Sequence, residues 1–313
     1  MARNARDHGG GLDAAIAHYG GTRSDWIDLS TGINPRPFSV SRLDGTAWTA
    51  LPDDAANARL IKAARSFWNV PGDAAILAVP GCSSAIAQIP FLTASGIAEI
   101  SGPTYNEHAA SFAQAGWTES EQPNVAQARV IVHPNNPTGH FHEAPAPADL
   151  TIIDESFCDV APHRSMIDLA AEPGHLILKS FGKFWGLAGV RLGFVIGDPD
   201  LISDLAKRLG PWPVSGIALT LGASALEDTA WAEKTRGWLM RQTLAMDGEM
   251  GRIGAIPIGE VSLFRTYDVA NAKGLQDQLA AHYIWSRIFP YSKTWIRLGV
   301  PTDTALVRLK DAL

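Results

Sequence analysis

Between about Asp73 and Asp198 the chain alternates short apolar runs with stretches that mix apolar and polar residues at helical spacing. The runs AAILAV, IAEI, ARVIVH, TIID, HLILKS and GFVIG are too short for helices and too uniformly apolar for strands with one wet face. Such runs read as strands of a parallel sheet covered on both sides, with SSAIAQIPFL and NEHAASFAQAG among the covering helices. The predicted class is α/β, with its chemistry in the loops beyond the carboxyl ends of the strands.

After Pro211 and Pro213 the pattern changes to helical spacing from about Val214 to Gly251, followed by the strand candidates VSLFRTY, YIWSRIF and TWIRLGV. This shift predicts a second, smaller α+β domain reached through connecting helices. The segment before about Val40 holds one helix pattern, LDAAIAHY, and an irregular turn, TGINPRP, and is expected to pack with it. The predicted organisation is therefore 1–40 as an N-terminal arm and part of the small domain, 41–213 as the large domain, and 214–313 as connecting helices and C-terminal small domain. There is no internal repeat or low-complexity segment, and EAPAPAD reads as a surface loop stiffened by proline.

Composition narrows the partners. The 313 residues carry a net charge of -6, which argues against nucleic acid as a partner while leaving room for a pocket that holds a small anion. Two cysteines, Cys82 and Cys158, have neither the number nor the spacing of a disulfide framework or a zinc site, so no metal is expected and a reducing compartment is favoured. The start, Met-Ala-Arg-Asn-Ala-Arg-Asp-His, has no apolar signal core, and no apolar run is long enough to span a bilayer. The expected location is the cytoplasm, without membrane association. His140 and His142 lie in a Pro-rich loop and read as solvated.

Candidate chemistry concentrates at strand ends. In SFGKFWGLAGVRLGF at 180–194 a lysine, Lys183, leaves an apolar strand into a Gly-rich turn, and Arg191 follows. A water-poor, aromatic setting depresses an amine's pKa toward the unprotonated form that Schiff-base chemistry needs. Ser180 and Arg191 supply a hydroxyl and a guanidinium fork, which suit a phosphate ester. VPGCSSAI at 79–86 joins an apolar run to a helix start, where backbone N–H groups and the positive helix end suit an anion.

With HPNNPTG at 133–139 and TIIDESF at 151–157 placed ahead of the lysine motif, the chain resembles the class I/II aminotransferase family over nearly its whole length. The resemblance implies fold type I, a mostly parallel sheet in a large domain with a smaller α+β domain, and pyridoxal 5'-phosphate as cofactor. It makes Lys183 the Schiff-base lysine and later proton carrier, Asp154 the partner of the pyridinium nitrogen, and Tyr105 in GPTYNEH the aromatic residue stacked on the ring. An ionised carboxylate there keeps the ring nitrogen protonated, and a protonated ring is an electron sink. The resemblance also gives Asn136 a bond to the cofactor's phenolic oxygen, and gives Gly81, Cys82, Ser83, Ser180 and Arg191 its phosphate. Arg297 in WIRLGVP matches the arginine that grips a substrate carboxylate, with Arg265 in LFRTY as its nearest competitor.

Within the family, the opening HGGGLDAAIAHYG, the turn STGINP and the run DESF resemble the threonine-phosphate decarboxylases of cobalamin biosynthesis, relatives of the histidinol-phosphate aminotransferases. The aminotransferase relatives usually carry tyrosine three places after the pyridinium aspartate; here the residue is Phe157, which removes one donor to the phenolic oxygen. The resemblance implies decarboxylation of L-threonine O-3-phosphate to (R)-1-amino-2-propanol O-2-phosphate, with His8, Gly9, Asn34 and Arg297 on the substrate side. Histidinol-phosphate or other aminotransferase activity is the alternative, because both reactions use the same cofactor residues. A non-catalytic cofactor-binding role in corrinoid synthesis is a further alternative, disfavoured by the presence of both Lys183 and Asp154. Gly11 stands where relatives often have a polar residue, and Leu51 where many aminotransferases have a tyrosine that reaches the neighbouring subunit's cofactor. Family members build their sites at dimer interfaces, so a homodimer is expected.

Overall fold

The computed structural model describes residues 8–40, 43–120 and 125–313. In chain order, α1 (Leu12–Tyr19) and β1 (Ile27–Asp28) are followed by α2 (Thr46–Thr49) and α3 (Asp54–Phe67). The six apolar runs become strands β2 (Ala75–Val79), β3 (Ile97–Ile100), β5 (Ala128–Val132), β6 (Leu150–Asp154), β7 (His175–Ser180) and β8 (Gly193–Gly197), joined by the two-residue β4 (Thr118–Glu119). Helices α4 (Cys82–Gln88), α5 (Asn106–Gln114) and α6 (Pro199–Leu209) lie between and after them.

These seven strands form one sheet in the order β2-β8-β7-β6-β5-β3-β4. Neighbours from β4 through β7 are parallel, whereas β8 runs antiparallel to both β2 and β7. The reversal matters for function. It sets Gly193, the first residue of β8, opposite Val79 and Ser180, the last residues of β2 and β7, so Arg191 arrives at the same sheet edge as the loops leaving those strands.

Strand alternation divides the sheet's chemistry between two faces. Val130, Ile152, Leu176, Leu178 and Val195 face one core with Ile86 of α4, Phe112 of α5 and Leu205 of α6. Asp154 shares that face, being two residues beyond Ile152 and in register with Leu178. Lys179 and Glu155 belong to the opposite face.

The chain divides into two compact units, one of residues 37–136 and 141–233, the other of residues up to Arg36, 137–140 and 234–313. The large unit thus runs twenty residues past the predicted limit at 213 (233 − 213), because α7 (Gly216–Glu227) packs on α3. Gly222 permits that fit, since a Cβ there would lie 2.4 Å from Leu192 Cδ2. Residues 137–140 join the other unit: Thr266 Oγ1 donates to Pro137 O, and a Cβ on Gly259 would fall 1.9 Å from Thr138 O.

The remaining elements are α8 (Thr229–Gly251), β9 (Ile256–Pro257), β10 (Phe264–Asp268), α9 (Ala272–Ala281), β11 (Ile284–Trp285), β12 (Arg287–Phe289), β13 (Ser292–Gly299) and α10 (Asp303–Ala312). The smaller unit has an antiparallel sheet, β12-β13-β10-β9, and a parallel pair, β1-β11. The candidate YIWSRIF is therefore split, its first part serving β1 and its second serving β13. Met246, Met250, Leu279, Ile296, Leu298 and Leu309 close the core of this unit. Side-chain caps legible in the sequence start several helices: Asp53, Asp198, Ser215, Asn271 and Thr302 each accept a backbone N–H. No helix among the described residues is long and apolar enough to cross a membrane.

Candidate active site

Loops at the carboxyl edge of the large sheet enclose a cavity of roughly 100 Å³. Its lining includes Lys183, Asp154, Tyr105, Asn136, Ser180 and Arg191, and the turn after β2 adds Cys82 and Ser83.

The FGKFW turn gives Lys183 a rigid base. Leu187 N donates to Phe181 O and Gly186 N to Lys183 O, closing the loop. Phe181, Phe184 and Trp185 are fully buried beneath it, Trp185 stacking on Phe181 and on Trp231 at centroid distances of 5.2 and 5.3 Å. The motif's aromatics are thus anchors rather than pocket walls. The ring that meets the amine is Phe157, whose centroid is 5.3 Å from Lys183 Nζ.

Asp154, 2% exposed, is held by three donors or charges. Oδ2 lies 2.9 Å from His108 Nε2, and Oδ1 accepts from Ser156 N and Ser156 Oγ at 3.0 and 2.5 Å. Burial by itself pushes the carboxyl pKa up, but the His108 hydrogen bond and charge, together with the Ser156 bonds, outweigh it and hold the group below the usual carboxylate range. The pocket therefore contains a buried ionised carboxylate. Tyr105 sits before α5 with its ring 6.0 Å from that of His108, and burial, aided by the Asp154 charge, pushes its phenol up to about 12. Cys82 donates its thiol to Lys179 O at 3.0 Å, and burial pushes it up to about 12, so it is a neutral donor and not a nucleophile.

Backbone geometry leaves room for an anion beside Arg191. Gly81 has φ +80°, and a Cβ there would lie 2.6 Å from Arg191 Nη2; a Cβ on Gly193 would lie 2.7 Å from Cys82 N. No side chain caps the start of α4. These glycines, the guanidinium, the Ser180 hydroxyl, the buried carboxylate and the amine fit pyridoxal phosphate: an anion, a ring N–H and an aldehyde each have a chemically matched partner.

The smaller unit carries the predicted substrate-side residues. Arg297 is 3% exposed, stands 5.1 Å above the Phe264 ring and donates through Nη2 to Ser30 O at 2.7 Å. Arg265, its competitor, is committed elsewhere: Nε lies 3.1 Å from Asp247 Oδ2 and Nη1 donates to Val261 O. Gly9 lies against Ser30 and Arg297, His8 before it is exposed, and buried Asn34 accepts from Arg36 N at 2.9 Å.

The aminotransferase class I and II family model matches residues 24–313. The chain belongs to this family. It is 37% identical to a threonine-phosphate decarboxylase from Sinorhizobium sp, over 98% of this chain and 97% of that one. It is 35% identical to a threonine-phosphate decarboxylase from Pseudomonas aeruginosa, over 98% and 96% respectively. Among solved structures it is similar to histidinol-phosphate aminotransferase from Sinorhizobium meliloti in complex with pyridoxal-5'-phosphate, with a TM-score of 0.80 and 18% identity, covering 100% of this chain and 97% of that one. That likeness establishes the aminotransferase fold, including the α/β class predicted from the apolar runs.

For this aminotransferase-family chain, sequence reasoning missed three residues of chemical interest. His108 follows Tyr105 by one helical turn, the spacing that sets two side chains on one face, and Ser156 lies two places after Asp154. Arg287 pairs directly with Arg297 across β12 and β13. Like charges directly opposite one another across a strand pair are unfavourable, which makes this register a feature of interest. His133, Glu155 and Cys158 bring possible metal ligands within 4.8 Å, yet His133 Nδ1 accepts from His142 N and Glu155 is bonded to Lys179.

Proposed function

We propose that the protein is a pyridoxal-phosphate-dependent decarboxylase that converts L-threonine O-3-phosphate to carbon dioxide and (R)-1-amino-2-propanol O-2-phosphate, the linker chemistry of the cobalamin nucleotide loop. The observation that carries this reading is the 37% identity, over nearly the full length of both chains, to a protein named threonine-phosphate decarboxylase. Phe157 beneath the Lys183 amine supports it, because a phenyl ring offers no hydroxyl to the cofactor's phenolic oxygen. We further propose a cytoplasmic homodimer.

When bound, pyridoxal phosphate supplies the electron sink that accepts the pair released as the Cα–carboxylate bond breaks. The chain's residues do the rest. Lys183 Nζ would hold the cofactor through its aldehyde, and its amine is the group that would return one proton to Cα in place of the departing carbon dioxide. Asp154, kept ionised by His108 and Ser156, would keep the ring nitrogen protonated. Tyr105 would cover the ring, Asn136 would donate to its phenolic oxygen, and Gly81, Cys82, Ser83, Ser180 and Arg191 would hold its phosphate. Arg297 would bind the substrate carboxylate and so orient the bond to be broken. Arg287, its cross-strand partner, takes the substrate phosphate with help from His8, Gly9 and Asn34.

The test offers O-phosphothreonine and, in parallel, histidinol phosphate with 2-oxoglutarate. Carbon dioxide and aminopropanol phosphate from the first substrate are the expected products. Glutamate from the second reaction without carbon dioxide from the first would replace this reading by that of an aminotransferase.

A further inference from the structure

Residues 27–31 run between two strands of the smaller unit and are tied to both. Ile27 N and Leu29 N donate to Tyr283 O and Trp285 O, and Gly299 N donates to Leu29 O at 2.7 Å. Ser30, within this fixed segment, is 1% exposed and makes four hydrogen bonds that lead to three places. Its N and Oγ both donate to Asp28 Oδ1, at 2.9 and 2.6 Å. Its carbonyl accepts from Arg297 Nη2 at 2.7 Å, and its Oγ accepts from Gly10 N at 2.7 Å. A hydroxyl has one proton; donation to Asp28 commits it and turns a lone pair toward Gly10.

The arm that receives this bond tolerates little change. A Cβ on Gly9 would lie 2.4 Å from Ser30 O and 3.3 Å from Arg297 Nη2, and Gly10 adopts φ +102°, a region glycine enters without strain. The arm thus lies directly on the arginine and on the serine that orients it.

We propose that Ser30 is a positioning residue that latches His8–Gly10 over Arg297, so that the arginine meets its anion in a preformed, water-poor setting. The proposal rests on the reading above, in which Arg297 binds the substrate carboxylate. A guanidinium shielded from water and fixed by a carbonyl pairs more strongly with a carboxylate than a solvated, mobile one. Asp28 completes the device by fixing the hydroxyl's proton. When the Gly10 bond is lost, the arm lifts, water reaches Arg297, and the arginine loses the neighbour that limits its motion.

The test uses the full chain with its cofactor and compares wild type, Ser30→Ala, Ser30→Thr and Gly9→Ala. In Ser30→Ala, amide exchange of the segment 8–12 should rise about fivefold, the worth of one ordinary hydrogen bond. Arg297 should become open to phenylglyoxal, located by peptide mapping. The KM for O-phosphothreonine should rise by a similar factor and change more than kcat, and Ser30→Thr, which restores the hydroxyl, should recover both. Gly9→Ala lifts the arm without altering Ser30, so it should reproduce the same three changes, and the double variant should be less than additive. Unchanged exchange and labelling in both Ser30→Ala and Gly9→Ala overturns the latch. Increased exchange with unchanged KM overturns its role in anion binding. Exchange and labelling need no substrate, so a wild-type protein that releases no carbon dioxide refutes the decarboxylase reading separately.

Discussion

Two acid–amine sets lie within a few residues of each other on opposite faces of the large sheet. Asp154 and Lys183 line the cavity, whereas Glu155 and Lys179 are sealed behind it. Lys179, 2% exposed, is ion-paired with Glu155 and lies 4.0 Å from Asp159 Oδ1. Glu155 also accepts from Ser165 Oγ and Met166 N, and Asp159 accepts from the indole N–H groups of Trp68 and Trp185 at 2.8 and 3.0 Å. Burial alone would lower the Lys179 pKa, but the charges of Glu155 and Asp159, with the Glu155 hydrogen bond, outweigh it and raise it, which keeps the amine protonated. The same residue types are thus structural on one face and available for chemistry on the other. Strand alternation and partner count, rather than residue identity, make the difference.

The largest effect expected from this contrast is on stability. Lys179→Met leaves Glu155 and Asp159 buried without their cation and should cost about 3–5 kcal/mol, the usual penalty for removing one member of a buried ion pair. Chemical denaturation of the cofactor-free protein measures it. A loss below about 1 kcal/mol would place Lys179 with weakly held surface charges.

Next come the two arginines proposed to bind anions. Arg191→Ala should weaken pyridoxal phosphate binding by tenfold or more, while Arg297→Ala should raise the KM for O-phosphothreonine by a similar factor and spare the cofactor. Each charge-assisted hydrogen bond is worth about 1.5–3 kcal/mol. Cofactor titration by absorbance, alongside steady-state kinetics, separates the two outcomes; equal cofactor loss in both variants would break the division of roles.

A smaller effect concerns pH. A carboxyl whose folded pKa is depressed contributes stability above its unfolded pKa, and that contribution disappears as pH falls through the folded value. For Asp154, held low by His108 and Ser156, the loss falls below the ordinary carboxylate range. In His108→Asn the opposing effect of burial gains weight, the folded pKa rises, and the acid-side loss of bound cofactor should begin at higher pH. An acid edge identical to wild type would show that His108 does not tune Asp154.

Much of the large unit was legible from apolar runs, because strands covered on both faces need no polar positions. The direction of β8 was not, since GFVIG is apolar whichever way it runs, yet that direction is what brings Arg191 to the sheet edge that carries Ser180. Lys183 and Asp154 stood out through local motifs. His108, Arg287 and Ser30 did not, because their meaning comes from partners distant in sequence: Asp154 at the end of a strand, Arg297 across a register, Gly10 on an arm. The helix α7 was assigned beyond the large domain because its face toward Leu60 and Leu192 cannot be read from helical spacing alone.

The most direct test is borohydride reduction of the purified protein loaded with pyridoxal phosphate, followed by peptide mapping of the lysine that retains the pyridoxyl group. Label is expected on Lys183 alone, and none in Lys183→Ala. Label on Lys179, or persistent label on another lysine in that variant, would contradict the assignment of the two faces.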